Sequence, residues 1–443
     1  MKHIKLILSS ALAISAISCT KLDEKLQGEI TPEQAGGAGG GSITALIKGV
    51  YNSMRASYQG QERVFALGEL PSDAAVVPTR GGDWDDNGAW RVIHSHAWDA
   101  ENQYIRNCYN DLSGTVYAAT DVLRYNPTPA QAAEARFLRA FSMFDMLDFF
   151  DQVAYRDPGE NTLEPARVRK GTEALDYIIA ELNEILPNLK PSGPIGASQD
   201  AARVLLMKCY LNKGTIADRA NPTFDAADMQ QVITLADAVI NSGKYSLTAN
   251  YFDNFAPTNG SIGMENIFTA ENVPGVEAGG LNSRWHMTMH YNQNPGGWNG
   301  FTTLSDFYDK FEADDQRRGV AYPTPGVPNP GGRINVGFMV GQQYNWTTDA
   351  PLQDRTGAPL VFTREVNAVE TGNNLEITGI RVNKYPIDYP NDGSGLVNND
   401  YVYYRIADVM LMKAEALVRT GSAAAALPIV NQIRTIRGVT PFA

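Results

Sequence analysis

The stretch YVYYRIADVMLMKAEALVRTGSAAAALPIVNQIRTIRG, residues 401–438, decides the fold. Its apolar residues recur at spacings of three and four, which predicts one amphipathic helix over 401–420 and a second after Ser422. Gly421 separates the two patterns and ends the first helix. The apolar stripes are Ile406, Val409, Met410, Ala414 and Leu417 in the first helix and Leu427, Val430, Ile433 and Ile436 in the second. The segment therefore predicts a helix-turn-helix hairpin.

Similar patterns precede this hairpin. A helix is predicted from Ser42, its N-cap, with Ile43, Leu46, Ile47, Val50, Tyr51 and Met54 on one face. Further helices are predicted at 103–126, 130–150, 171–186, 199–213 and 228–242. Amphipathic helices in series, each unable to bury its face alone, are typical of tetratricopeptide-like repeats. The fold class is therefore mostly α, a helical-repeat scaffold with long irregular loop-rich insertions and little β.

The body of the chain, residues 42–443, divides into three parts. Helical patterns fill 42–243, and the predicted hairpin occupies 401–443. Between them, residues 244–400 are dense in Gly, Pro, Asn and Asp, with scattered aromatics and little periodicity. Long irregular segments of a compact protein usually carry function, so the ligand region is expected here.

The N-terminus has the pattern of a secretory signal. Residues 1–18 combine an early basic region with a short apolar run and end in small side chains just before Cys19. A cysteine at this place predicts a bacterial lipoprotein, acylated at Cys19 and tethered by residues 19–41, which include GGAGGGS at 36–42. The pair Asp23-Glu24 resembles a signal for surface export. The alternative is an ordinary secreted protein with a chance cysteine.

Charge and cysteine content exclude several classes. The formal charge is −12 over 443 residues, and no basic run offsets it, so a nucleic-acid partner is not expected. Cys108 and Cys209 lie within apolar helical patterns, which favours buried free thiols; a disulfide between them is the alternative. No motif indicates a cofactor.

Five segments together resemble a known family, the SusD/RagB-like outer-membrane nutrient-binding lipoproteins. They are LGELPSDAAV (67–76), EARFLRAFSMFDMLDFFDQVAY (134–155), GGWNGFTTLSDFYDKFEADDQRRG (296–319), YYRIADVMLMKAEALVRTG (403–421) and NQIRTIRG (431–438). The resemblance implies four tetratricopeptide-like hairpins, an outer-membrane location at the cell surface, and a SusC-like TonB-dependent transporter as partner. Family members continue past this hairpin, so the end at Ala443 suggests a truncated chain.

Three aromatic groups are candidate ligand sites, because rings in loops stack on sugar faces while polar side chains reach the hydroxyls. The first, in TRGGDWDDNGAWRVIHSHAW (79–98), comprises Trp84, Asp85, Asn87 and Trp90. The second comprises Trp285, Tyr291, Trp298 and Asn299, with Asn292 and Asn294 nearby, and the third is Trp346 beside Tyr344 and Asn345. The alternative is that each tryptophan packs in a core, which is the prediction for Trp98.

Catalysis is not predicted. His286 and His290 are four residues apart, a metal-ligand spacing, but no third ligand accompanies them and a metal is not expected. Asp85-Asp86 and Asp314-Asp315 are acidic pairs, yet adjacent residues rarely face one another across a substrate. No nucleophile signature is present. The prediction is thus binding without chemistry, with a glycosidase as a distant alternative.

Three binding functions remain open. The first is a surface lipoprotein that binds glycan and delivers it to the transporter. The second has the same architecture and binds oligopeptides. The third is a lipid-anchored helical-repeat scaffold for protein partners, whose concave face would carry the exposed aromatics.

Overall fold

The computed structural model describes residues 41–276, 279–393 and 395–443. Its helices are α1 Gly41–Gln59, α2 Val64–Glu69, α3 Ala89–His94, α4 Gln103–Val122, α5 Pro129–Phe150, α6 Gly171–Ile185, α7 Gln199–Ala217, α8 Ala226–Ile240, α9 Asn259–Ile262, α10 Ser283–His286, α11 Ser305–Tyr308, α12 Tyr389–Asp392, α13 Ile406–Arg419 and α14 Ala423–Ile436. The predicted signal peptide, the predicted acylation site Cys19 and the predicted tether as far as residue 40 lie outside the described residues. Within them, no helix is both long and apolar enough to cross a bilayer.

The strands are short. They are β1 Thr79–Arg80, β2 Gln152–Tyr155, β3 Arg167–Lys170, β4 Asn266–Ala270, β5 Gly319–Val320, β6 Val336–Met339, β7 Gly341–Gln342, β8 Val361–Phe362, β9 Val369–Glu370, β10 Arg381–Asn383 and β11 Tyr401–Arg405. They form one three-stranded sheet, β10-β6-β5, and several pairs, of which only β1-β9 is parallel among the described residues. About 47% of the described residues are helical, so the predicted fold class is confirmed.

Eight helices pack in series and form the scaffold. Each contacts the next in the order α1, α4, α5, α6, α7, α8, α13 and α14. Local sequence fixes several of their starts: Asn102 caps α4, Ser198 caps α7, and Thr128 and Gln131 form a capping box around Pro129, the first residue of α5. The series confirms the helical-repeat scaffold.

The scaffold shares one large hydrophobic core. The α5 side chains from Phe137 to Phe144 are all buried, as expected for a helix surrounded by neighbours. Phe141 lies 5.5 Å from Phe268 of β4, between ring centroids, so the core extends from the repeats into the loop-rich region. Cys108 and Cys209 are buried and free, as predicted.

Two local predictions are wrong. Residues 401–405 form strand β11 and not the first turn of a helix, because they pair antiparallel with β4. Helix α1 already includes Gly41, one residue before Ser42, the predicted N-cap position. Both errors concern helix starts, and tertiary pairing explains the first of them.

The loop-rich region is itself packed. It has a separate core built around Trp285, Trp346, Leu360 and Phe362, all buried. The small sheets β10-β6-β5 and β7-β8 lie within it. These contacts hold long irregular segments in fixed positions, which is a requirement for a precise binding surface.

A buried carboxyl before β11 makes stability depend on pH. Asp400 is 4% exposed and accepts a hydrogen bond from Asn272 N at 3.0 Å. Burial raises its pKa to about 6, with Glu271 adding to the rise and the Asn272 amide and Arg55 opposing it. The raised pKa means that the ionised form is penalised in the folded state, so stability is lost as pH rises from about 4 to 6.

We expect Asp400→Asn to stabilise the protein at pH 7.5, since the amide oxygen keeps the Asn272 contact without a charge. The free energy of unfolding should rise by about 1–3 kcal/mol at pH 7.5, and the gain should vanish near pH 4. Urea unfolding, monitored by circular dichroism at pH 7.5 and at pH 4, measures this gain in the free energy of unfolding. Asp148→Asn, at an exposed carboxyl of α5, is the control and should change little. A gain that persists unchanged at pH 4 would contradict the interpretation.

Candidate functional site

Two loops far apart in sequence meet at a pair of tryptophans. Trp84 Nε1 donates to Trp298 O at 2.8 Å, and Trp298 N donates to His286 O at 2.6 Å. Trp84 has a φ of +60°, a strained value for a bulky side chain. Such strain persists only where the surroundings fix the conformation. The tryptophan pair is therefore a fixed feature of the fold.

A tyrosine extends this surface. Tyr291 OH donates to Asp83 Oδ2 at 2.7 Å, and the Arg355 guanidinium lies 3.9 Å from the Tyr291 ring centroid. Arg355 also pairs with Glu376, and it lies 3.4 Å from Asp83. Burial, followed by the Asp83 contact, raises the pKa of Tyr291 to about 12, so the phenol remains a hydrogen-bond donor.

His286 lies against the exposed tryptophan. Its ring stacks on Trp298 with centroids 5.5 Å apart and planes 24° apart. Nδ1 faces Gly296 O at 2.8 Å and Nε2 faces Asp392 Oδ1 at 2.8 Å. Burial lowers its pKa, but the Asp392 carboxylate and the Gly296 carbonyl outweigh burial and raise it above the ordinary value. Both ring nitrogens face acceptors, so the doubly protonated ring fits this site.

His290 faces a different group. Its Nε2 lies 2.9 Å from Glu376 Oε2, and its Nδ1 accepts from Asn292 N at 3.1 Å. Both histidines thus use both ring nitrogens within the protein. Among the described residues, no cluster of three metal-ligating side chains is present.

We name Trp84, Tyr291 and Trp298 the aromatic platform. Trp298 is 42% exposed, and the other two are half-buried. Exposed polar side chains near it in sequence include Asp83, Asn87, Asn292 and Asn294, with Arg355 over Tyr291. Asp85 lies on the same turn as Asn87 and pairs with Arg91 at 2.8 Å. A fixed ring surface with flanking donors and acceptors suits a ligand that has both apolar faces and hydroxyls.

The four other predicted contact residues are buried, which corrects their assignment to the ligand surface. Trp90 is 1% exposed and stacks on Tyr104 at 3.7 Å between ring centroids. Trp285 is 0% exposed, and its Nε1 donates to Asp392 Oδ1 at 2.7 Å. Trp346 and Asn299 are also buried. These side chains support the loops and do not reach a ligand on the surface.

The third predicted group does not join the other two. Trp346 packs in the loop-rich core, and Tyr344 lies under the Arg333 guanidinium at 3.6 Å from its ring centroid. Trp98, predicted to be in a core, is 45% exposed and packs loosely beside His96. The prediction for Trp98 is therefore wrong, because the residue precedes α4 on the outside of its capping turn.

Sequence reasoning missed Asp83 and Arg355 and considered His286 only as a metal ligand. Asp83 is adjacent to Trp84, so the tryptophan loop itself offered a signal. Arg355 gave no signal in the sequence, because only the fold brings it over Tyr291.

Two buried arginines hold the platform loops from below. Arg80 donates to Asn299 O at 2.6 Å, to Gly300 O at 2.9 Å and to Thr378 O at 2.7 Å. Arg381 is 0% exposed and donates to Asn299 Oδ1 at 2.7 Å. Burial lowers the pKa of Arg80 to about 10, with Glu370 opposing the change. These bonds fix the backbone behind Trp298 before any ligand arrives, which lowers the ordering cost of binding.

A glycine allows the Trp84 ring to approach the second loop. A Cβ on Gly300 would lie 2.4 Å from Trp84 Cε2, which is far inside contact distance. We expect Gly300→Ala to displace the ring and lower the free energy of unfolding by about 1–3 kcal/mol. Gly82→Ala is the matched control, since a Cβ there meets nothing within 4 Å. Urea unfolding of both variants tests the prediction, and equal stabilities would contradict it.

Comparison with known proteins shows which family this chain is similar to. Residues 235–442 match the sequence profile of the SusD family. The starch-binding protein SusD of Bacteroides thetaiotaomicron is 30% identical over 204 residues, which is 44% of this chain and 34% of that protein. The chain thus matches about a third of that relative's length. SusD-like protein P2 of Formosa agariphila is 23% identical and aligns with 96% of this chain and 79% of its own.

Solved structures agree on the fold. A SusD superfamily protein from Parabacteroides distasonis superimposes with a TM-score of 0.67 at 17% identity, covering 91% of this chain and 81% of that one. Surface glycan-binding protein A from Bacteroides thetaiotaomicron, solved with laminarihexaose, gives a TM-score of 0.64 at 16% identity over 90% of this chain and 84% of its own. The resemblance inferred from the sequence is supported: residues 235–442 are similar to the SusD family in sequence, and the chain is similar to SusD superfamily structures in fold.

Proposed function

We propose that this protein binds a glycan on the aromatic platform, at the bacterial surface, without transforming it. The observation that carries the proposal is the fixed, partly exposed pairing of Trp84 with Trp298, extended by Tyr291 and bordered by Asp83 and Arg355. Flat rings match the apolar faces of sugars, and the polar border matches their hydroxyls. A relative named as a starch-binding protein and a related structure solved with an oligosaccharide support the same class of ligand.

Binding without catalysis is the second part of the proposal. At least one member of each acidic pair noted in the sequence is engaged within the protein: Asp86 accepts from Trp90 Nε1 at 2.6 Å, and Asp315 pairs with Arg317. Asp83 is held by Tyr291. A glycosidase needs two carboxyl groups facing one another across the scissile bond. We therefore assign these carboxylates to holding the loops.

Delivery of the bound glycan to a transporter is the third part of the proposal. We propose acylation at Cys19, location on the outer membrane facing outward, and transfer of the bound oligosaccharide to a SusC-like TonB-dependent transporter. The scaffold face would dock on the transporter, and the protein would act as its lid. This part rests on the family resemblance.

Retardation in native gels that contain polysaccharides tests the ligand class. The full chain carrying Cys19→Ser avoids lipid and detergent, and circular dichroism confirms that it is folded. We expect retardation by one glycan class, with a dissociation constant in the micromolar range or weaker, because an open platform buries little of its ligand. No retardation by any glycan, with calorimetric binding of oligopeptides by the same sample, would replace the glycan proposal with the peptide alternative.

A further inference from the structure

A cavity lies close to the platform. It has a volume of about 450 Å³, and nine aromatic side chains line it, including these six: Phe65, Tyr251, Phe301, Phe307, Phe338 and Tyr385. Phe301 of the cavity wall also contacts Trp84 of the platform, with ring centroids 5.7 Å apart, so the cavity adjoins the platform. The six rings come from three separate hydrophobic clusters, which meet here without filling the space. A space of this size is large enough for a small organic molecule.

The charges around the cavity are mainly positive. Arg284, Arg317 and Lys384 line it, and Glu69 is the single carboxylate among its lining residues. Arg317 is neutralised by Asp315. Arg284 is only 8% exposed, and its guanidinium donates to carbonyls, Gln59 O at 2.8 Å and Tyr58 O at 3.0 Å. Among the described carboxylates, none forms an ion pair with Arg284 or Lys384.

The pKa of a tyrosine in the cavity wall is shifted by the same positive charges. Burial would raise the pKa of Tyr251, yet Lys384, Arg405, Arg317 and Arg437 together lower the pKa below its ordinary value. Arg405 and Arg437 share one carboxylate, Glu265. Positive charge thus exceeds negative charge on this side of the cavity, which favours an anionic guest.

The lining also disfavours a sugar here. A sugar would bring hydroxyls on all sides against a mainly aromatic wall, and each hydroxyl left unpaired there costs free energy. A flat apolar body with one negative group would instead contact the rings and place its charge near Arg284 and Lys384. We propose that this cavity is a second binding site, for a small organic anion with an aromatic or alicyclic body, such as a carboxylate or sulfonate. The site is independent of the glycan function proposed above.

The probe 8-anilinonaphthalene-1-sulfonate has this chemistry and becomes fluorescent in apolar sites. Titration of the folded Cys19→Ser chain should give one saturable site. Lys384→Gln should weaken binding by about threefold, as expected for an exposed charge. Lys170→Gln, at an exposed lysine of β3, is the matched control and should leave binding unchanged. Ala74→Trp places a large side chain at the half-buried wall and should abolish binding.

The neutral analogue N-phenyl-1-naphthylamine tests the charge requirement. It should bind more weakly than the sulfonate, and Lys384→Gln should not change its affinity. Equal affinity for both probes would overturn the assignment to an anion. Binding of the sulfonate that persists in Ala74→Trp, with the variant shown to be folded, would overturn the cavity as the site. Trp298→Ala should leave probe binding intact, so this proposal and the glycan proposal fail separately.

Discussion

Trp298→Ala should weaken glycan binding by about ten- to a hundredfold, the equivalent of ~1.5–3 kcal/mol for a stacked aromatic side chain. The ring is 42% exposed and held in place by the His286 stack and by its own backbone bonds, so its contact face is already formed. A ring that needs no ordering contributes most of its contact free energy to affinity. Isothermal titration calorimetry with the oligosaccharide of the retarded glycan class measures the loss.

The same substitution should leave the fold intact. The bonds at Trp298 that hold Trp84 and His286 together use its backbone N and O, which alanine keeps. We therefore expect the free energy of unfolding to change by about 0.5 kcal/mol or less, as at other exposed positions. Trp98→Ala is the matched control: Trp98 is 45% exposed on a different loop, and its removal should not affect binding. Equal losses of affinity in both variants would place the glycan elsewhere on the surface.

The scaffold helices were predictable because their signals are local. The patterns predicted at 130–150 and 171–186 match α5 at Pro129–Phe150 and α6 at Gly171–Ile185. Apolar spacing and capping side chains determine such helices without reference to the rest of the chain. Strand β11 differs, since Tyr401 to Arg405 become extended only by pairing with β4. A strand contiguous with a helix cannot be separated from it by apolar spacing alone.

The candidate site was only partly predictable, because composition identifies a loop but not the direction of its side chains. Trp298 is exposed and Trp84 is half-buried, whereas Trp90 and Trp346 are buried. The burial of Trp285 did have a signal in the sequence. Leu281, Trp285 and Met289 are spaced by four, and all three are 0% exposed. That spacing indicates a core stripe.

Glu265→Gln should have the largest effect on stability, lowering the free energy of unfolding by about 3–5 kcal/mol at pH 7.5, because it leaves buried cations without their counter-charge. Glu265 is 0% exposed and pairs with Arg437, which is 1% exposed, and with Arg405 at 2.6 Å. It also accepts from Thr248 N at 3.0 Å. This carboxylate therefore joins the end of α14 to β11 and to the start of the loop-rich region.

The pH dependence provides a second test of this prediction. Burial raises the pKa of Glu265, but Arg405 and Arg437 outweigh burial and hold it below the ordinary value. A lowered pKa contributes stability that is present above about 4.5 and lost as pH falls further, so the difference between Glu265→Gln and the unmodified protein should shrink below pH 4. Glu312→Gln is the control. It removes the exposed partner of Arg434, a residue of α14, and should lower the free energy of unfolding by ~1 kcal/mol or less. Similar losses in the two variants, measured by urea unfolding, would mean that the buried carboxylate does not anchor the terminal hairpin.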